Sequence, residues 1–326
     1  MHKSALICGV SGQDGSYLAQ LLLGKGYRVW GTSRQAHAAA FVNLRGLGID
    51  GQVSLLSMAP EDFASVCLAM EESSPDEVYY LAGQSSVGLS FEQPGETMQS
   101  NLMGTLHMLE SMRRLSKQVR LYHAGSGECF GDTGDRPANE HTAFQPLSPY
   151  AVAKASAQLL VRHYREAYQL YACTGMIFNH ESPLRPVRFV SQKIVSAARR
   201  IAAGSSETLR LGRMDISRDW GWAPEYVDAM WRMLQLDKPQ DFVIATGKTH
   251  RLEDFVGQAF AALDLDWRAH VAQVDELMRP AELVMSRADP SRAHEILGWE
   301  AEVSLPGVVE RMVLAPRSQC HHSVTD

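Results

Sequence analysis

The sequence predicts a doubly wound parallel α/β sheet of the Rossmann type, followed by a smaller C-terminal lobe that binds the substrate. Three observations lead to this fold class. Short apolar runs alternate with helical patterns through the first half of the chain, which is typical of a parallel sheet. A glycine-rich turn follows the first apolar run. After about residue 179 the alternation stops, and prolines separate shorter elements.

The first half of the chain contains six predicted strands and four predicted helices. The strands cover residues 5–8, 28–31, 53–56, 77–81, 120–123 and 173–178, and the helices cover residues 16–23, 61–71, 96–115 and 149–168. The second half is expected to form helices at 190–203 and 224–236 and a strand at 242–245. We therefore expect a dinucleotide-binding domain at residues 1–178, mainly a substrate lobe with segments that return to the main sheet at residues 179–315, and a flexible tail at residues 316–326.

Composition argues against several classes of function. The chain has 31 Lys and Arg against 37 Asp and Glu, a net charge of −6, so no nucleic-acid surface is indicated. No apolar run approaches the roughly 20 residues of a membrane span. Five cysteines without a CxxC pair favour free thiols in a reducing cytoplasm. Cys320, His321 and His322 on the tail are a poor metal site, and no metal is expected.

A dinucleotide cradle is predicted between the first strand and the first helix. Residues 9–15 read GVSGQDG. Glycines at this point permit a tight turn and a close approach of the backbone to a pyrophosphate, and the helix N-terminus presents free N–H groups to the anion. The expected cofactor contacts in this segment are Gly9, Gly12, Gln13, Asp14 and Gly15.

The end of the second strand bears on the choice between NAD and NADP. NAD-selective sites usually place an Asp or Glu there, which bonds to the ribose hydroxyls. This chain has no acid at that point, and Arg34 follows Thr32 and Ser33. Because a guanidinium binds a 2′-phosphate through charge-assisted hydrogen bonds, we predict NADP rather than NAD.

The end of the fourth strand is predicted to pass close to the cofactor. Residues 81–86 read LAGQSS, and small residues at a strand end let the backbone approach a ligand. The expected cofactor contacts are Leu81, Ala82 and Gln84, and the expected substrate contacts are the hydroxyls of Ser85 and Ser86.

A tyrosine and a lysine at helical spacing form the candidate catalytic pair. Tyr150 and Lys154 lie four residues apart on a helix that Ser148 and Pro149 open, so they share one helix face. The pKa of a free tyrosine is about 10. A nearby ammonium and a positive nicotinamide ring favour the phenolate, which removes a hydroxyl proton while hydride leaves the same carbon.

The fifth strand leads into two further candidate residues. Ser126 is placed to hydrogen-bond the reacting oxygen, and with Tyr150 and Lys154 it resembles the extended short-chain dehydrogenase/reductase family. Glu128 follows two residues later. Simple epimerases and reductases of that family need only hydride and hydroxyl-proton transfer. An added carboxylate therefore indicates a base for a C–H bond beside a new ketone.

The motifs together resemble a narrower family, the GDP-mannose 4,6-dehydratases, over about residues 3–314. The similar stretches are residues 9–15, 81–91, 126–131, 148–154, 178–183, 218–221 and 241–247. The runs NHESP and RDWG are specific to this group of dehydratases. The resemblance implies a lyase that converts GDP-mannose to GDP-4-dehydro-6-deoxy-mannose with an NADP that is regenerated within each turnover.

The resemblance also implies roles for single residues. Tyr150, helped by Lys154 and Ser126, takes the 4-hydroxyl proton while C4 gives hydride to NADP. Glu128 removes the C5 hydrogen and donates a proton as water leaves C6, and the stored hydride returns to C6. The substrate contacts implied by the motifs are Asn179, Lys193, Arg218, Arg279 and Glu282.

Two departures from the family pattern concern rate and assembly. Many members have Ser-Thr-Ser-Glu or Ser-Ser-Ser-Glu where residues 125–128 read GSGE, so polar support beside the key hydroxyl is lost. Many members carry Arg-Arg-Ser-Ser after the second strand, where residues 34–38 read RQAHA. A homodimer or homotetramer is expected by analogy, with the dimer formed through the helices at 96–115 and 149–168.

Two other functions remain open on the sequence. The first is a nucleotide-sugar 4-epimerase or 4-keto-sugar reductase on the same fold, against which Glu128 and the NHESP run argue. The second is a regulatory protein that binds NADP without catalysis. The intact set Ser126, Glu128, Tyr150 and Lys154 argues against it.

Overall fold

The computed structural model describes residues 2–36, 40–115 and 117–316. Its strands, in chain order, are β1 (Ser4–Cys8), β2 (Arg28–Ser33), β3 (Ser54–Ser57), β4 (Glu77–Tyr80), β5 (Arg120–Ala124), β6 (Tyr171–Ile177), β7 (Asn179–Glu181), β8 (Leu209–Leu211), β9 (Ser217–Trp222), β10 (Phe242–Ile244), β11 (Thr249–Arg251) and β12 (Val271–Gln273).

The helices vary widely in length. They are α1 (Gln13–Gly24), α2 (Val42–Gly46), α3 (Phe63–Ser73), α4 (Val87–Glu92), α5 (Pro94–Met98), α6 (Gly104–Arg114), α7 (Pro149–Tyr168), α8 (Val190–Ala202), α9 (Ala223–Met233), α10 (Leu252–Ala261) and α11 (Leu305–Leu314). Short 3₁₀ turns cover Asp50–Gln52, Gly127–Phe130, Trp267–Ala269 and Asp275–Leu277, and π-helical turns cover Gln99–Met103 and Ala293–Leu297.

Seven strands form the central sheet, in the order β10–β6–β5–β4–β1–β2–β3. Every pairing in it is parallel. The chain reverses its direction of travel across the sheet at β1, with β2 and β3 on one side and the later strands on the other. Ligands of such sheets bind beyond the carboxyl ends of the strands at this switch point. The predicted fold class, a doubly wound parallel sheet, is confirmed.

Helices cover both faces of the sheet, which explains why its central strands β1, β4 and β5 are buried along almost their whole length. On one face Ile7 of β1 packs in a cluster with Leu22 of α1 and Met230 of α9. On the other face Leu6 lies in a cluster with Met108 of α6. All five side chains are fully buried, and burial of each such side chain contributes about 1.5–3 kcal/mol. This core fixes the strand ends that carry the site.

A smaller lobe follows β6. Its three-stranded sheet has the order β11–β9–β7, and β8 pairs with β12. A separate apolar cluster joins α8, α10 and α11 around Trp220 and Phe255. β10 instead returns to the edge of the central sheet, where it pairs with β6. The lobe is therefore linked to the main sheet at both β7 and β10.

The predicted strands and most predicted helices are present, with ends within three residues of those expected. The prediction of one continuous helix at 96–115 is wrong, because this segment is divided into α5, a π-helical turn and α6. In that turn the side-chain amide of Asn101 donates to the carbonyl of Thr97 (3.0 Å) and to that of Gln84 (2.9 Å). A side chain that occupies the i−4 carbonyl displaces the usual backbone bond and widens the turn.

Three further expectations concern membrane spans, metal and thiols. In the described ranges no helix is long and apolar enough to cross a membrane. Across those same residues no group of three or more His, Cys, Asp or Glu is arranged to hold a metal ion. Cys8, Cys67, Cys129 and Cys173 are free thiols. The tail motif at 320–322 and the rest of the tail beyond residue 316 lie outside the described residues.

Candidate functional site

The dinucleotide cradle has the close packing that its glycines predict. Gly9 adopts a φ of 86°, a conformation that side-chain-bearing residues rarely take. A Cβ on Gly15 would lie 2.3 Å from the carbonyl oxygen of Gly9, so only glycine fits there. Gly12 is the N-cap residue of α1, and it has no side chain that could bond to the first N–H groups of the helix. The first N–H groups of α1 are therefore available to an anion, as a pyrophosphate requires.

The side chains of Gln13 and Asp14 are directed to the substrate lobe. The amide of Gln13 donates to the carbonyl of His180 (3.1 Å), and its oxygen accepts from the hydroxyl of Ser182 (2.8 Å). A carboxylate oxygen of Asp14 lies 2.9 Å from Nε2 of His180. A cofactor contact at these two positions would thus come mainly from the backbone.

The residues after β4 divide between the cleft and the protein interior. Leu81, Ser85 and Ser86 line the cleft. The backbone of Ala82 lies against Gly9, at 3.2 Å from the position of a Cβ there. The side chain of Gln84 bonds to the carbonyl of Ser86 (2.9 Å) and to the hydroxyl of Thr97 (3.0 Å), and its oxygen accepts from the N–H of Ser86. Its amide is thus already engaged.

Ser126, Tyr150 and Lys154 come together at the carboxyl end of β5. Tyr150 and Lys154 share one face of α7, which Ser148 caps by accepting from the N–H of Ala151 (3.1 Å). The three side chains line one cleft and are only 7%, 8% and 5% exposed. Such burial excludes bulk water and strengthens electrostatic interactions within the site.

The protonation of the pair differs from the simple expectation. Burial raises the pKa of Tyr150 above its usual value of 10, against the lowering effect of a hydrogen bond with Ser126 and of the charge of Arg185. Burial lowers the pKa of Lys154 to about 8. The ammonium lies 6.0 Å from the centre of the Tyr150 ring and donates to the carbonyl of Ala124 (3.0 Å). The protein alone therefore favours the neutral phenol.

Glu128 opens onto the same cleft. It is half-buried, and its backbone N–H donates to the hydroxyl of Ser126 (3.2 Å) in a short 3₁₀ turn. Its charge raises the pKa of Tyr150 and also raises that of Arg218, against the larger lowering by burial. Glu128 therefore interacts electrostatically with both Tyr150 and Arg218, which line the same cleft.

The two glycines that flank Ser126 have a structural reason. A Cβ on Gly125 would lie 2.6 Å from Cγ2 of Thr174, and one on Gly127 would lie 2.9 Å from the ring of Phe178. Those side chains fill the space that larger residues at 125 and 127 would need. Packing by Thr174 and Phe178 thus supports the Ser126 segment in place of the lost hydroxyls.

The predicted substrate contacts are only partly brought together. Asn179, Arg218 and Arg279 line the cleft. Glu282 lies behind them and pairs with Arg218 (3.2 Å) and Arg279 (3.4 Å). The ammonium of Lys193 donates to the carbonyl of Arg210 (2.7 Å) and is not among the cleft-lining residues. Its predicted contact therefore requires a change of rotamer.

The structure adds cleft residues from segment 182–189 that the sequence analysis did not select. Arg185 and Arg188 line the cleft together with Phe189. The Arg185 guanidinium lies 3.3 Å from the carboxylate of Glu181 and 3.8 Å from the centre of the Phe189 ring. Arg188 makes no ion pair within the described part of the chain. The sequence feature that could have indicated these residues is the presence of two arginines within four positions, at 185 and 188.

Arg34 lies beyond β2, at the carboxyl edge of the sheet. Its side chain is 70% exposed and 3.5 Å from the carboxylate of Glu96. Exposed pairs of this kind contribute about 0–1 kcal/mol. A phosphate could therefore displace Glu96 at little cost.

Comparison with known proteins gives one family. Residues 6–312 match the family model described as GDP-mannose 4,6 dehydratase. GDP-mannose 4,6 dehydratase 2 of Arabidopsis thaliana is 42% identical, over 95% of this chain and 86% of the relative. GDP-mannose 4,6-dehydratase of Vibrio cholerae is 39% identical, over 96% of this chain and 94% of the relative.

Solved structures of similar fold lie at lower identity. A UDP-glucose 4-epimerase of Thermus thermophilus, in complex with NAD, has a TM-score of 0.84 at 23% identity and covers 95% of this chain and 97% of its own. RMD of Pseudomonas aeruginosa, complexed with NADPH, has a TM-score of 0.76 at 24% identity and covers 97% and 99%. These likenesses support the fold.

Proposed function

The chain belongs to the GDP-mannose 4,6 dehydratase family, and from that premise and the chemistry of the cleft we propose that it converts GDP-mannose to GDP-4-dehydro-6-deoxy-mannose. It is an enzyme of the dehydratase type. The other activities considered, epimerisation and ketone reduction, do not need a carboxylate beside the catalytic serine. A non-catalytic role leaves the buried Ser126, Tyr150 and Lys154 unexplained.

The observation that carries the proposal is the position of Glu128. It extends the wall formed by Ser126 and Tyr150 and faces the same cleft. Loss of water from a sugar needs a base for the carbon acid and an acid for the leaving hydroxyl. A half-buried carboxylate in contact with the cleft suits both tasks at different moments of one turnover.

The cradle suits a nicotinamide dinucleotide, because the uncapped start of α1 and the glycine-only positions leave room for a pyrophosphate. When bound, the nicotinamide accepts hydride from C4 of the sugar and returns it to C6. We assign the 2′-phosphate of NADP to Arg34, whose guanidinium is exposed and weakly held. The other proposed cofactor contacts are Gly9, Gly12, Gln13, Asp14, Gly15, Leu81, Ala82, Gln84, Tyr150 and Lys154.

The chain's own residues move the protons. Tyr150 takes the 4-hydroxyl proton, Ser126 hydrogen-bonds the same oxygen, and Lys154 stabilises the phenolate by its charge. The resulting 4-ketone acidifies the C5 hydrogen, which Glu128 removes. The carboxylic acid then donates that proton to the C6 hydroxyl, which leaves as water. When hydride reaches C6, C5 takes up the proton that Tyr150 removed from the 4-hydroxyl, and the phenolate is restored. Because Ser126, Tyr150 and Lys154 are buried, water is kept from competing for these proton transfers.

Cations on the opposite side of the cleft suit a diphosphate. We place the GDP diphosphate beside Arg218 and Arg279, with Asn179, Ser85 and Ser86 toward the sugar. Glu282 orients the two guanidiniums through its ion pairs, and Lys193 joins the site by rotation. Arg188, which has no ion pair among the described residues, supplies a further cation to the cleft.

A homodimer or homotetramer in the cytoplasm is part of the proposal. Val152 and Leu159 lie seven residues apart on α7 and are 38% and 46% exposed, so they form one apolar stripe that a second copy would cover. Light scattering of the purified chain measures the assembly. A monomer at micromolar concentration would contradict it.

The test is incubation of the purified protein with GDP-mannose and a catalytic amount of NADP, followed by mass spectrometry. We expect a product lighter by one water, formed in excess over the NADP. UDP-, dTDP- and CDP-hexoses are the comparison substrates and should react far more slowly. An unchanged mass with an epimeric sugar, or turnover that consumes one NADPH per product, would contradict the proposal.

A further inference from the structure

A half-buried carboxylate and a buried imidazole connect the cradle to the strand that carries Asn179. Asp14 is the second residue of α1, and His180 is the middle residue of β7. Nε2 of His180 lies 2.9 Å from Oδ2 of Asp14, although the residues are 166 positions apart. Both residues line the cleft, and His180 is only 5% exposed. The pair therefore lies where the main sheet and the lobe meet.

The partners of the imidazole define its charge. Nδ1 lies 2.8 Å from the carbonyl oxygen of Phe178, and Nε2 faces the carboxylate of Asp14. Neither the carbonyl nor an ionised carboxylate has a proton to give, so these contacts favour donation from both ring nitrogens, that is, an imidazolium. Burial alone would lower the pKa of His180, but the charge of Asp14 and its hydrogen bond raise it. The same interaction outweighs the burial of Asp14 and lowers its pKa to about 2.

Further contacts fix the strand around this ion pair. The second oxygen of Asp14 accepts from the amide of Gln13 (3.0 Å), and that amide also donates to the carbonyl of His180 (3.1 Å). The His180 ring stacks on Tyr226 of α9, with centres 4.7 Å apart and planes at 14°. The charged or titratable groups that face the ring are Asp14 from α1, Arg185 from segment 182–189, and Tyr226 from α9.

We propose that the Asp14–His180 ion pair positions β7 against the cradle, so that Asn179 presents the sugar to the nicotinamide at the distance that hydride transfer needs. Asp14 and His180 are thus positioning residues. Loss of either charge leaves the other buried without its counter-ion, which displaces the strand. A misplacement of about 1 Å at a reacting centre costs about 10²-fold in rate.

The first experiment measures the charge of His180 in the full chain by ¹⁵N NMR with labelled histidine. Near neutral pH both ring nitrogens of His180 should carry protons, and Asp14→Asn should make the ring neutral. His123 is an internal reference, because burial, followed by the charge of Lys154, lowers its pKa well below the usual value. A neutral His180 in the unaltered protein would overturn the proposal.

The second experiment is kinetic and rests on the proposed dehydration. His180→Gln retains an N–H donor without the charge. We expect kcat to fall about 10- to 100-fold, with the KM for GDP-mannose and the bound NADP nearly unchanged. The alkaline fall in kcat caused by loss of the imidazolium should also disappear. The double variant Asp14→Asn/His180→Gln should lose less than the product of the two single losses, because neither charge is left alone.

A matched control is His107→Gln on α6, whose ring nitrogen also meets a carbonyl, that of Pro60 (2.9 Å), away from the cleft. It should leave kcat unchanged. A kcat for His180→Gln equal to that of the control, or a double variant with fully multiplicative losses, would overturn the proposal. Because the NMR result does not depend on turnover, failure of the positioning role is distinguishable from failure of the dehydratase assignment.

Discussion

The two sides of the cleft are built in different ways. The catalytic wall that we propose (Ser126, Glu128, Tyr150 and Lys154) comes from two adjoining segments at the end of β5 and the start of α7. The substrate wall that we propose (Asn179, Arg185, Arg188, Arg218 and Arg279) comes from β7, segment 182–189, β9 and a loop near residue 280. Buried hydroxyl and ammonium groups dominate the first wall, and arginines of varied exposure dominate the second.

The difference suits the two tasks that we propose, proton transfer and diphosphate binding. Proton transfer requires groups held within hydrogen-bond reach in a water-poor site, and short rigid segments provide that. A diphosphate requires several cations around an extended ligand, which separate loops supply. Substitutions in the catalytic wall should therefore lower kcat, and substitutions in the substrate wall should raise KM.

The largest effect is expected for Glu128→Gln. The amide keeps the size of the side chain but can neither remove the C5 proton nor protonate the leaving C6 hydroxyl, so kcat for dehydration should fall by about 10²–10⁴-fold. Binding of NADP, measured by calorimetry, should be retained. Glu140→Gln, outside the cleft-lining residues, is the matched control. Near-full activity of Glu128→Gln would contradict the role of Glu128 as the base that removes the C5 proton.

Lys154→Met should change how stability depends on pH. The pKa of Lys154 is lowered from 10.5 to about 8 by burial, so between about pH 8 and 10.5 the unfolded chain binds more protons than the folded chain. The free energy of unfolding of the native protein therefore rises with pH over this window, by at most about 3 kcal/mol. Urea unfolding at several pH values should show this rise in the native protein and its absence in Lys154→Met. The same dependence of the free energy of unfolding on pH in both proteins would contradict the lowered pKa of the buried Lys154 ammonium.

Arg188→Gln tests the substrate wall. Arg188 lines the cleft at an exposed position, and a charge-assisted hydrogen bond to phosphate contributes about 1.5 kcal/mol at the lower end of its range. The KM for GDP-mannose should rise roughly tenfold with kcat unchanged, as measured in steady-state assays. Arg213→Gln, an exposed arginine paired with Asp215, is the control and should have no effect. A fall in kcat with an unchanged KM would contradict the assignment of Arg188 to the substrate wall.

The smallest effect is expected for Arg34→Ala. This guanidinium is 70% exposed and would contact only the 2′-phosphate, and exposed ion pairs contribute at most about 1 kcal/mol. Its removal should therefore weaken NADP binding about fivefold and leave NAD binding unchanged. Titration of both dinucleotides gives the ratio of their dissociation constants. An unaltered ratio would contradict the assignment of the 2′-phosphate to Arg34.

Sequence patterns predicted the catalytic wall better than the substrate wall, for physical reasons. Tyr150 and Lys154 were found because helical spacing alone puts them on one face, and Gly9 and Gly15 because a tight turn excludes side chains. Arg188 was missed because its segment, broken by Pro183 and Pro186, has no period that predicts which way a side chain points.

Long-range contacts decide the remaining details. Motif position alone placed Lys193 in the site, but the side chain bonds to the carbonyl of Arg210 on β8, a strand the sequence analysis did not predict. The link between Asp14 and His180 joins two motifs recognised separately, and their spacing in the chain gives no sign of the contact. The π-helical turn at Gln99–Met103 likewise depends on a bond from Asn101 to Gln84, seventeen residues away.

The central claim is that one enzyme-bound nicotinamide stores the C4 hydride and returns it to C6 of the same sugar. GDP-mannose deuterated at C4, with a catalytic amount of unlabelled NADP, tests this directly. We expect mass spectrometry and NMR of the product to find the deuterium in the new C6 methyl group, with one water lost. Deuterium released to solvent or accumulated in free NADPH, or retained at C4 of an epimer, would contradict the account.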